Sequence, residues 1–142
     1  MKTKHVLAGC LLLAILTIST EAQNSFDAFW AKFKSAVLKG DKAAVANLTR
    51  FPFSLGYDPS AKNQEGLIRT RASFLRRYKY IFDDEVNAVK CFQKNTPEKD
   101  SKDYFVACSF KSQPADAEKP FVYTFKLTKQ GWRFVEFTNI NE

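Results

Sequence analysis

All 14 phenylalanines, five tyrosines and both tryptophans of this 142-residue chain lie beyond residue 25. So dense a set of rings constrains the fold, because each ring is wide, rigid and costly to leave in water. Rings of this kind fill the broad gap between a curved sheet and the helices that cover it. A large core or an aromatic-lined cavity is the expectation.

The segment before the rings has a different character. Lys2, Lys4 and His5 lead into an apolar stretch from Val6 to Ile18, and Thr20-Glu21-Ala22 puts small residues where a signal peptidase cuts. This is the pattern of a secretory signal peptide, with cleavage after Ala22. The stretch is too short for a stable membrane span, which takes roughly 20 apolar residues. Leu7-Ala8-Gly9-Cys10 also spells a bacterial lipoprotein box, a competing reading that would leave Cys10 lipidated. Against it, only Val6 to Gly9 precede the cysteine and the apolar stretch continues beyond it.

Cleavage after Ala22 leaves 120 residues, room for one domain spanning 23–142. It takes Lys2, Lys4 and Glu21 from the 22 basic and 15 acidic residues, leaving 20 and 14 and a net charge of +6. Such a charge steers anionic partners, but it serves solubility equally well, and a secreted protein seldom meets nucleic acid. The only histidine, His5, leaves with the signal peptide. Nucleophilic triads built on histidine and histidine-containing metal sites are thereby excluded from the mature chain. Asp83-Asp84-Glu85 lacks the alternating ligand spacing and glycine turn of a calcium loop, and there is no glycine-rich phosphate loop. No metal or other cofactor is expected.

Two cysteines remain after cleavage, and export to an oxidising compartment predicts a Cys91–Cys108 disulfide. An antiparallel hairpin pairing Val89–Gln93 with Tyr104–Phe110, centred on the polar loop from Thr96 to Asp103, would set the two cysteines directly opposite one another. Two free thiols are the alternative, without a histidine to activate them.

Periodicity gives the remaining elements. Phe26, Phe29, Trp30, Phe33, Ala36 and Val37 recur at helical steps, with Asn24 or Ser25 as the cap and Gly40 as the stop. Asp41 caps a second, shorter helix with Val45 and Leu48 inward, and Phe51 to Leu55 forms a short strand. Gly56 to Gly66 reads as an exposed loop, either a lid or simply mobile. Thr70 caps a third helix with Phe74, Leu75, Tyr78, Ile81 and Phe82 inward. Phe121 to Leu127 and Trp132 to Phe137 alternate as the two strands of a closing hairpin turning at Lys129-Gln130-Gly131. The predicted architecture is α+β, with three N-terminal helices packed on a curved, mostly antiparallel sheet.

That order resembles the nuclear transport factor 2-like superfamily, a cone-shaped fold of the cystatin-like group, and uncharacterised exported bacterial members in particular. The resemblance rests on the aromatic first helix, Gly40-Asp41-Lys42, the Phe51-Pro52-Phe53 exit, Phe74-Leu75-Arg76-Arg77-Tyr78 with Ile81-Phe82, and Gly131-Trp132-Arg133-Phe134. It spans residues 26 to 138. It implies a cone whose interior serves, in different members, catalysis or binding, so the fold does not choose a function.

The pocket candidates are Trp30, Tyr57, Asp58, Tyr78, Tyr123, Phe134 and Glu136. Strict alternation puts Glu136 on the same face as Phe134, where desolvation would raise its pKa toward proton-transfer chemistry. An ion pair at the sheet rim is the plainer role. Arg69, Arg71, Arg76, Arg77 and Lys79 spread around the outer arc of the third helix, as a solvated face or as contacts to an anionic glycan, lipid headgroups or an acidic protein. Asn47-Leu48-Thr49 is a formal glycosylation sequon. The functional expectation is a non-enzymatic exported binding or interaction domain, for a small apolar ligand or a protein partner, with a homodimer through the open sheet face as one form. Two alternatives stand beside it. One is an acid/base enzyme on a small hydrophobic substrate, with Glu136 or Asp58 as base and Tyr57 or Tyr123 as donor. The other is an inhibitor or immunity protein.

Overall fold

A computed structural model describes residues 25–56, 66–114 and 116–141. Residues 1–24, with the expected signal peptide and Cys10, lie outside the described residues, as do residues 57–65 of the expected loop. Among the described residues, four helices and six strands follow one another as α1 (Phe26–Leu38), α2 (Lys42–Asn47), β1 (Thr49–Ser54), β2 (Leu67–Ile68), α3 (Arg71–Asp83), α4 (Ala88–Lys94), β3 (Glu98–Asp100), β4 (Asp103–Cys108), β5 (Phe121–Thr128) and β6 (Gly131–Asn139). The strands form one sheet in the order β2-β1-β6-β5-β4-β3. Only the β1–β6 pair is parallel. The fold class is therefore α+β with a mostly antiparallel six-stranded sheet.

Local chemistry sets the helix ends. Ser25 caps α1 by accepting from the Ala28 amide, Asp41 caps α2 through Ala44, and Thr70 caps α3 through Ser73. Gly40, at φ +66°, takes the left-handed position that ends α1. Apolar faces then bury these helices on the sheet: Phe29 and Phe33 from α1, Val45 from α2, and Phe74, Ile81 and Phe82 from α3.

Two sequence expectations need correction. Residues 88–94 form a fourth helix and not a strand, because Asn87 caps them through the Lys90 amide and Ala88 and Phe92, four apart, both face the core. The hairpin expected between Val89–Gln93 and β4 is instead β3–β4, registered Glu98↔Phe105 and turning tightly at Asp100↔Asp103. The Cys91–Cys108 disulfide forms nonetheless, with the Cα atoms 5.8 Å apart, and it staples α4 to the end of β4.

The second correction concerns β6. Phe125 pairs with Phe134, but Thr124 pairs with Glu136, so Val135 is an extra residue in a β-bulge. Past the bulge the facing pattern shifts by one. Phe134 and Phe137 both reach the core, and Glu136 faces the other side.

Candidate functional site

The helix-covered face of the sheet carries Phe121, Tyr123 and Phe125 on β5, Phe134 and Phe137 on β6, and Phe53 on β1, all buried. The rings pack on one another in a continuous cluster. Phe33 lies 5.1 Å from Phe125 and 5.2 Å from Phe134, and Phe53 lies 4.7 Å from Phe134. Trp30, half-buried on α1, sits edge-on to Phe92 at 5.1 Å and to Phe125 at 5.7 Å. Trp30 and Phe134 are thus parts of one packed layer between the helices and the sheet.

Two of the three tyrosine candidates, Tyr78 and Tyr123, sit in that layer. Tyr123 is fully buried and donates its hydroxyl proton to the Ile81 carbonyl at 2.6 Å. Ile81 belongs to the last turn of α3, whose carbonyls have no amide partner further along the helix, so the phenol closes one of them. Burial, reinforced by neighbouring Tyr78, pushes the Tyr123 pKa well above the ordinary tyrosine value. Tyr78 stacks on Phe82 at 4.5 Å, with the Lys42 ammonium 5.4 Å from its ring centre. Its pKa rises to about 12 through burial first and the Asp41 carboxylate second. Both phenols are protonated at neutral pH, and the proton of Tyr123 is already committed to a backbone carbonyl.

Glu136 is on the opposite face. Its carboxylate accepts from the Thr138 hydroxyl at 2.9 Å, and both residues are partly exposed. The sheet separates it from Tyr123, so these two candidates do not come together as base and donor. Among the described residues Thr49 is the one buried polar side chain besides Tyr78 and Tyr123, and no carboxylate is buried. Tyr57 and Asp58 lie outside the described residues.

The outer face of the sheet is a mixed surface. Phe105, Ala107 and Val122 alternate out of β4 and β5 beside Thr124, Glu136 and Thr138, all partly exposed. Lys126 pairs with Asp103 at 3.0 Å. Where α3 ends, the Asp83 carboxylate meets Lys111 at 2.8 Å, and that hydrogen bond and charge hold its pKa below the usual carboxylate value.

The helix over 88–94, in place of the strand expected over Val89–Gln93, creates one feature. At helical spacing Asn87, Lys90, Cys91, Lys94 and Asn95 share a face, and that face opens onto a cleft closed by Ser109 to Lys111 and Gln113. The signal that would have revealed it is Asn87, a capping residue placed just before the run. No helix among the described residues is long and apolar enough to cross a membrane. No family model and no curated protein matches this chain.

Proposed function

We propose that the chain is an exported, non-enzymatic interaction domain of nuclear transport factor 2-like cone shape, released by cleavage after Ala22 and acting through the outer face of its sheet. One observation carries this reading: the rings of the helix-covered face are spent on each other, while the carboxylate proposed for chemistry stands on the far side of the sheet from Tyr123. The disulfide supports export, since such bonds persist in oxidising compartments. The outer face supports contact with protein, either a partner or a second copy. It interleaves apolar Phe105, Ala107 and Val122 with charges of both signs, the composition of an ordinary interface.

Native mass spectrometry on exported material tests it. The expected species is residues 23–142 with one disulfide, in a dimer or a protein complex that Val122→Glu dissociates. A monomer carrying a small apolar molecule would replace this reading with an internal-pocket one, and a chain retaining its leader would remove the export claim.

A further inference from the structure

Among the described residues, the cleft beside the disulfide is lined by Asn87, Lys90, Lys94, Asn95, Ser109 and Lys111, among others, and by no carboxylate. Its cationic character is not accounted for by folding. Lys94 in the last turn of α4 complements the helix dipole, but Lys90, one turn earlier, repels it and gains nothing from the dipole. A fourth ammonium stands close by, since Lys119 donates to the Asn95 side-chain carbonyl at 2.8 Å. The same amide donates through its nitrogen to the Cys91 carbonyl at 3.0 Å, so its orientation is fixed from both ends. Lys111 is tied to Asp83 on a half-exposed surface, a pair weak enough to share its cation.

We propose that this cleft binds a tetrahedral oxyanion, a phosphate or sulfate group presented free or as an ester. Size and chemistry both point to it. The cleft is small, about 40 Å³ of water-accessible space, and partly open to solvent, so it seats one oxyanion while the rest of an ester extends outward. The cations lining it are lysines and not arginines. Ammonium groups act as point charges with donors in several directions, and such groups bind phosphate without requiring the planar fork of an arginine. Asn87, Ser109 and Gln113 add neutral donors around the rim. The Cys91–Cys108 bond holds the two walls, α4 and the segment after β4, at a fixed separation. The site shares no residue with the outer sheet face, so it stands or falls separately from the interaction reading above.

The test uses the mature oxidised protein, followed by amide chemical shifts during titration with sodium phosphate and, separately, with glycerol 3-phosphate at constant ionic strength. Saturable shifts are expected at Lys90, Lys94, Asn95, Lys111 and Gln113. Lys90→Ala with Lys94→Ala should weaken binding about tenfold or more, in line with loss of two charge-assisted contacts. Lys90→Gln, which keeps the side-chain length, gives a milder loss in the same direction. Lys102→Ala with Lys129→Ala removes the same charge from the turns at the opposite end of the sheet and should leave binding within about twofold. Response to the ester alone identifies a covalently presented group, and response to both identifies free anion as sufficient. Absence of saturation with either ligand overturns the proposal. Equal weakening by the two double variants does so as well, because it would mean diffuse charge and no site.

Discussion

Replacing Tyr123 with phenylalanine removes one oxygen from the centre of the molecule and tests how α3 is finished. The ring, its packing on Phe92 at 5.0 Å and on Phe137 at 4.9 Å, and its apolar area all remain. What is lost is the 2.6 Å bond to the Ile81 carbonyl, leaving a buried acceptor at the end of a helix without its partner. An unsatisfied buried group of this kind costs about 1–3 kcal/mol. For a domain of this size a loss near ~2 kcal/mol lowers Tm by roughly 6–10 °C.

The same substitution has a pH signature. The Tyr123 pKa is raised in the folded protein, so above pH 10 the unfolded chain releases this proton while the native state keeps it. The native state then holds more protons than the unfolded one, and stability falls as pH rises. This contribution is complete below pH 10 and is lost progressively toward the folded pKa. Phenylalanine has no such proton, so the gap between wild type and Tyr123→Phe should shrink with alkalinity, by about 1 kcal/mol between pH 8 and pH 10.5. Urea unfolding followed by tryptophan fluorescence at the two pH values measures both effects. A variant within about 0.3 kcal/mol of wild type at pH 8, with a gap indifferent to pH, would refute the claim that this phenol closes the helix.

Three further outcomes separate the bulged strand from a regular one and weigh the staple. If Val135 is the extra residue, Glu136→Ala on the outer face should change stability by no more than about 0.5 kcal/mol, whereas Phe137→Ala should cost about 3–5 kcal/mol; chemical denaturation showing the reverse order would mean strict alternation through β6. Replacing Cys91 and Cys108 together by alanine should cost about 3 kcal/mol, from the loop their bond closes. In the native protein, dithiol reductants should react slowly, because Cys108 is fully buried and Cys91 only partly open, which a timed thiol-alkylation assay reports.

Much of the scaffold is written locally. Ser25, Asp41 and Thr70 announce helix starts because a short polar side chain can bond an amide three residues on, whatever the rest of the chain does. Phe26 to Val37 declares its apolar face by spacing alone, and the two-residue turn at Lys129-Gln130 joins strands whose alternation is plain. The cysteine pairing is also legible, since only Cys91 and Cys108 lie beyond the expected signal peptide. The two cysteines do not face each other on paired strands; the bond joins a helix to a strand.

The composition and spacing of this chain by themselves determine an aromatic core, three capped helices, a closing hairpin and one disulfide, because each follows from short-range chemistry or from counting. Beyond the cap that Asn87 offers, tertiary structure decided that 88–94 is helical. A seven-residue apolar-polar run satisfies either period, and the seat that α1 and β5 offer Phe92 favours the helix. Tertiary structure alone also decided which side Glu136 faces. A single extra residue, accommodated where β6 bends between β5 and β1, reverses every side chain beyond it without leaving a mark in the sequence.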